Sequence, residues 1–159
     1  MKDSIPVFTY LRRYYEVCHA GNVTLNLDDF EKIIPELEKE TGIDIRDYCI
    51  EALTEKTAFQ LMIELSPIEE LRPVIRDLDM QQLSKTAEKL LCSHFDSYAE
   101  ARKAGEIAPV NVSLLEPGTQ LLYRDKYAFD QKCSEEQLKP VRILDTAEKS
   151  KFFHAFILK

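Results

Sequence analysis

The chain is short of glycine, has no closely spaced cysteine pair and contains no long apolar run, and each shortage removes a class of function. Only 4 glycines are spread over 159 residues, so no glycine-rich loop is present to cradle a phosphate with backbone N–H groups. The 4 cysteines, Cys18, Cys49, Cys92 and Cys133, form no Cys-x-x-Cys, and together with the 3 histidines they offer no pair at zinc-ligand spacing. Isolated thiols of this kind are small buried hydrophobes in a reducing compartment. No run approaches the roughly 18 apolar residues of a membrane span, and the opening Met1-Lys2-Asp3-Ser4-Ile5-Pro6 lacks a signal-peptide core. A cytoplasmic protein with no membrane contact is therefore expected. There is also no Asp-x-Asp-x-Asp-Gly calcium loop, and neither a metal nor a cofactor is expected.

What is present is acid. Asp and Glu outnumber Lys and Arg by 28 to 21, for a formal charge of −7. Residues 1–104 hold 20 acids against 13 bases, and residues 105–159 hold 8 of each, so the whole excess lies in the first two thirds. An acidic chain is repelled by phosphate backbones at long range and attracted to basic proteins. The expected partner is thus a protein with a basic face, or a second copy of the chain, and not nucleic acid.

Hydrophobic spacing predicts helices over the first two thirds. Ser4 and Pro6 open an amphipathic helix carrying Val7, Phe8, Leu11, Tyr14, Tyr15 and Cys18, which Gly21-Asn22 ends. After an extended connector from Val23 to Leu27, Asp28 with Glu31 reads as a capping box for a helix bearing Phe30, Ile33, Ile34 and Leu37. Pro35 should kink or restart it, and Gly42 should stop it. From Asp44 to Leu65 one apolar phase predicts a single helix of about five turns. Ser66-Pro67-Ile68-Glu69 opens a short helix, and Asp79 with Gln82 opens the longest one, which runs to Gly105.

Phe30 to Leu37 and Ile68 to Ile75 share a pattern of hydrophobic, Glu, charge and proline at an offset of 38 residues. That spacing resembles a HEAT-type helical repeat, a resemblance that implies stacked helix pairs presenting a protein-binding surface. Two copies are fewer than the three or so that a solenoid needs, and the segments are therefore read as two helical hairpins.

Beyond Gly105 the period changes. Val110, Val112 and Leu114 alternate as a strand does, and Thr119–Arg124, Val141–Asp145 and Phe152–Leu158 are further strand candidates, the last two forming a hairpin. The expected fold class is α+β: an N-terminal helical bundle or helical hairpins over about residues 4–104, then a small antiparallel sheet over about 107–158. In domain terms this is a helical part, 1–104, and a strand-rich part, 105–159, packed together as one compact unit.

No catalytic constellation stands out. The expected function is a non-enzymatic adaptor or inhibitor, of the immunity, antitoxin or anti-defence type. Its partner-binding acids would be Asp28, Asp29, Glu36, Glu38, Glu40, Glu64, Glu69 and Glu70, which steer a basic surface toward it. Two alternatives belong to other classes. Cys133 and His154 could meet across the sheet as nucleophile and base of a small enzyme. Tyr123, Arg124, Lys126 and Tyr127 interleave rings with charge, as a C-terminal barrel that binds single-stranded nucleic acid would.

Overall fold

The computed structural model describes residues 17–66, 78–131 and 140–158, without the side chains of residues 127–131. Ten elements succeed one another among them. β1 (Val17–Ala20), β2 (Val23–Asn26), α1 (Leu27–Thr41), β3 (Ile45–Leu53) and β4 (Ala58–Leu65) precede α2 (Met80–His94) and α3 (Asp96–Lys103). β5 (Asn111–Leu115), α4 (Thr119–Gln131) and α5 (Ala147–Ala155) complete the chain. β1 and β2 form an antiparallel hairpin, and β3, β4 and β5 form a second sheet in that order.

This is an α+β fold, but not a helical bundle followed by a sheet. The largest correction concerns residues 44–65, expected as one helix and found as the β3–β4 hairpin, paired antiparallel from Ile45↔Leu65 to Leu53↔Ala58. The reason is burial. β4 is the central strand, with β3 on one side and a parallel β5 on the other, and all eight of its residues are buried. A strand covered on both faces loses the period-2 alternation that distinguishes it from a buried helix. The HEAT-like pairing fails with it, since the second half of its first hairpin does not exist as a helix.

Other boundaries move for local reasons. Gly21-Asn22 is not a helix end but the two-residue turn between β1 and β2. Gly21 has φ +58°, and a Cβ there would lie 3.0 Å from Thr57 Cγ2 in the β3–β4 turn, so a side chain at 21 would strain the left-handed backbone and press the neighbouring turn outward. The cap of α1 is Asn26, whose Oδ1 accepts the Asp29 N–H at 3.1 Å, and not Asp28. The helix runs through Pro35 as one element and closes on Gly42 at φ +75°. The stretch from Asp79 to Gly105 starts and stops where expected: Asp79 Oδ1 accepts from the N–H groups of Gln81 and Gln82, and Gly105 takes a left-handed φ of +74°. In between, Phe95 is extended at φ −127°, ψ 107°, and splits it into α2 and α3.

Of the C-terminal strand candidates, the first is β5, although it pairs parallel to β4. Residues 119–124 lie in α4, and residues 152–155 lie in α5. Residues 141–145 run beside β3 through a single parallel bridge, Ile50↔Ile143, and form no hairpin with residues 152–158. The Ser4–Cys18 helix, up to residue 16, and the Pro67 helix fall outside the described residues. Ser66 itself donates its N–H to Asp44 O at 2.9 Å.

The β3–β4–β5 sheet separates two cores. One face carries Tyr48, Ile50, Phe59, Leu61, Ile63, Val112 and Leu114 into a cluster with Phe30, Ile33 and Leu37 of α1 and Leu83, Leu90 and Leu91 of α2. The other carries Cys49, Met62 and Leu115 against Tyr123 of α4 and Leu144 and Phe153 of the C-terminal segment. α5 crosses this second face from edge to edge. Before it, Ile50 exchanges backbone hydrogen bonds with Arg142 and Leu144 at 2.7 and 2.9 Å; after it, Leu158 N–H reaches Leu114 O at 2.8 Å and Glu116 N–H reaches Phe156 O at 2.9 Å.

Candidate functional site

The second face of the sheet is unusual in burying polar side chains. Strand alternation puts Asp47, Cys49 and Glu51 of β3 on it, opposite Glu64, Met62 and Gln60 of β4. Glu51 is 9% exposed, Gln60 4% and Glu64 1%. A buried carboxylate persists only where its lone pairs are satisfied, and the two ends of the face satisfy theirs differently.

At one end Glu51 is shared by two side chains of α5. Ser150 Oγ donates to its Oε1, and His154 Nε2 lies 2.5 Å from its Oε2. Ser150 and His154 are four residues apart, which stacks them on one side of the helix, the side laid across the sheet. They open onto a groove of about 410 Å³ that Lys56, Gln60 and Asn111 also line. Gln60 Nε2 is fixed by Ser113 Oγ at 3.1 Å. The serine and histidine both bond to the glutamate, so this is not a nucleophile–base–acid relay. Its chemical capacity lies in the imidazole. With Nε2–H donated to Glu51, Nδ1 is left as a proton acceptor on a ring whose orientation is fixed.

At the other end Glu64 is fully committed. Its Oε1 accepts the Gly118 N–H at 2.6 Å and its Oε2 the Gln120 N–H at 3.1 Å. The carboxylate thereby caps the first turn of α4 from the middle of the sheet, where the helix dipole also favours it. Being almost wholly buried, Glu64 is withdrawn from any surface.

The other acids expected on a docking face are partly used inside the molecule. Glu36 Oε2 meets His94 Nε2 at 3.0 Å and Glu40 meets Lys89 at 3.4 Å, tying α1 to α2. Glu38 Oε1 accepts the Ile45 N–H at 2.8 Å. Asp28 is exposed and Asp29 half-buried, and Glu69 and Glu70 lie outside the described residues. So does Cys133, and the partner that the structure gives His154 is Glu51. Of the ring-and-charge cluster, Tyr123 is buried, 5.1 and 5.4 Å from the rings of Phe152 and Phe153. Lys126 sits 5.7 Å over the Phe152 ring, Arg124 lines a small cavity beside Glu64, and the Tyr127 side chain is not described. These residues belong to a helix, not to a barrel, which corrects the nucleic-acid alternative. Glu51, Gln60 and Ser150 were not among the residues expected from sequence; the one signal was a lone glutamate and a lone glutamine inside apolar runs, Glu51 after Tyr48-Cys49-Ile50 and Gln60 between Phe59 and Leu61, and Ser150 carried none.

Among the described residues no group of three His, Cys, Asp or Glu could hold a metal ion, and no helix is long and apolar enough to cross a membrane. The thiols are muted by their surroundings. Burial, and then the Glu51 charge, push Cys18 up to about 12, and the same two causes raise Cys49. Both are therefore neutral thiols at physiological pH and should label slowly with a maleimide in the folded protein but rapidly in denaturant. Fast labelling of either at neutral pH, located by peptide mass, would contradict the packing around them.

Comparison with known proteins gives this architecture a class. The model of the GH3 family C-terminal domain matches residues 28–148, and the chain belongs to that family. Among solved structures it is similar to one described as GH3.15 acyl acid amido synthetase, with a TM-score of 0.69 and 19% identity over 90% of this chain. A second, AtGH3.15 acyl acid amido synthetase in complex with 2,4-DB, has a TM-score of 0.67 and 17% identity over the same share. The chain spans only 26% of either. No curated protein matches. Membership of this family overturns the expectation of a non-enzymatic adaptor or inhibitor, because the domain is the one these synthetases carry.

Proposed function

We propose that the chain serves as the C-terminal part of an enzyme that joins a carboxylic acid to an amine through an amide bond. The match of residues 28–148 to the GH3 C-terminal domain is the observation that carries this reading, and the fold shared with two acyl acid amido synthetases supports it. The protein partner that an acidic chain calls for is then the remainder of the synthetase, whether on the same polypeptide or a separate one. Free Cys18, Cys49 and Cys92 fit a reducing, cytoplasmic setting.

Amide formation sets one requirement that this chain can meet. The amine nitrogen attacks the acyl carbon with its lone pair, the bond to the carboxyl's activating group breaks, and an N–H proton has to leave. His154 Nδ1 takes that proton, with Glu51 holding the ring as a positioning residue.

The test uses the protein in its natural form. Purified from its source, it should be found joined to or bound by the rest of a synthetase. That assembly, given an acyl acid, an amino compound and a nucleoside triphosphate, should produce the amide by mass spectrometry. His154→Gln in the same assembly should lower the rate of amide formation at saturating substrates by about a hundredfold, the lower end for loss of a positioned general base. A natural form consisting of these 159 residues alone, with no amide formed, would overturn the proposal; an unchanged rate in His154→Gln would remove His154 from it.

A further inference from the structure

A cavity of about 100 Å³ lies at the Glu64 end of the polar face, walled by Arg46, Asp47, Glu64, Gln120, Leu121 and Arg124. Liquid water takes about 30 Å³ per molecule, so the space holds about three waters, or one head group of four or five heavy atoms.

Its charges are unevenly committed. Asp47 Oδ1 is paired with Arg142 Nη1 at 3.2 Å. Arg142 is itself fixed, donating to Tyr48 O at 3.1 Å and lying 4.4 Å from the centre of the Tyr48 ring. Glu64 has both oxygens on the backbone N–H groups that begin α4. Gln120 is spent as well, its amide exchanging two hydrogen bonds with the backbone of Val141 at 2.6 and 3.0 Å. Both acids and the amide are thus answered by local partners.

The two remaining charged walls are not. Neither Arg46 nor Arg124 has an ion-pair partner among the described residues. Arg46 is exposed at the mouth, and Arg124 is half-buried, its Nε shut off from solvent without a hydrogen-bond partner. A buried donor left unmade is costly, and the cost is larger for a charged group. Such an atom is uncommon in a folded protein and marks a place where a partner belongs. The guanidinium fork matches two oxygens of one planar or tetrahedral anion.

We propose that this cavity is an oxyanion site, in which Arg124 and Arg46 bind the carboxylate or phosphate group of a small ligand. Leu121 supplies the apolar part of the wall. It is 43% exposed and its neighbour Leu122 48%, an uncommon exposure for large hydrophobic side chains among the described residues, and apolar surface beside the arginines gives the ligand's carbon skeleton a place to lie. The site is separate from the Glu51 groove and does not depend on the synthetase reading, which stands or falls on its own test.

The experiment is a titration of the full chain by amide NMR, at constant ionic strength, with inorganic phosphate in one series and acetate in another. Saturable shifts should appear at residues 46–47 and 118–124, with a Kd of about 1 mM or tighter for one of the two anions, and the anion that saturates identifies the group. Arg124→Gln and Arg46→Gln should each weaken it by about ten- to a hundredfold, the value of a hydrogen bond to a charged group. Arg124→Lys should not restore it, because a point charge replaces the fork. Thermal melts check that the variants fold, and Arg46, being exposed, supplies the variant least exposed to that difficulty. Absence of saturation with both anions, or equal affinity in folded Arg46→Gln, would overturn the proposal.

Discussion

Glu88→Gln should destabilise the domain by about 3 kcal/mol at neutral pH and remove part of its sensitivity to acid. Glu88 of α2 is the point where three elements meet. Its carboxylate takes Tyr98 Oη of α3 at 2.6 Å, the Val110 N–H just before β5 at 3.0 Å, and Arg102 Nε. Arg102 in turn donates to Ile107 O at 3.0 Å, so one side chain organises the whole passage from α3 to β5. Glutamine keeps the shape but presents an NH₂ toward groups that already donate. Burial alone would raise the Glu88 carboxyl; the hydrogen bonds from Tyr98, Arg102 and Val110 outweigh it and hold it below its ordinary value of 4.5. A carboxyl whose folded value is lowered adds stability that is complete above the unfolded value and is lost as pH falls through the folded one. The wild-type protein should therefore lose stability below about pH 4.5, and the gap between wild type and Glu88→Gln should close there. Urea titrations at pH 7 and in acid measure both effects. A difference within about 0.5 kcal/mol at pH 7 would show that the cluster is ornamental to stability.

Phe59→Ala should cost about 3–5 kcal/mol, the range for truncating a large buried aromatic. Phe59 sits on the central strand with 0% exposure, its ring 6.3 Å from that of Tyr98, on the face that receives α1 and α2. No nearby surface can collapse into the space, because β3 flanks it on one side, the segment leading into β5 runs along the other, and helices cover it. Single domains are stable by about 5–15 kcal/mol, so this change uses a large share of the total. Phe156, half-buried and 5.0 Å from Phe152, is the control and should cost less than half as much. Equal losses at the two positions would mean that the face covered by α1 and α2 is no better packed than the second.

What could be read from the sequence was what local chemistry decides. Asp79 as a cap, Gly42 and Gly105 as helix ends, and the strand at Val112 each rest on a side chain or a backbone angle that acts within a few residues. What could not be read was decided by neighbours far away in the chain. Ala58–Leu65 is buried on both sides because β3 and β5 flank it and helices cover it, and that coverage blurs the period that would mark a strand. Thr119–Gln131 is helical where short alternation suggested a strand, with its first turn capped by a glutamate 54 residues earlier. The candidate site was less legible still. Glu51 lies about a hundred residues from Ser150 and His154 in sequence, and only the path of α5 across the sheet brings them to it.

That path also bears on where this domain can be cut. The family match ends at residue 148, two residues into α5. A fragment trimmed to the match would keep the backbone bonds that cover the outer side of β3 but lose those that residues 156–158 make to β5. It would bare one strand's row of N–H and C=O groups, a template for other chains. The same trim would strip Glu51 of both its partners and leave a carboxylate facing an uncovered sheet. Aggregation of such a fragment would then report a missing strap and not an unstable fold.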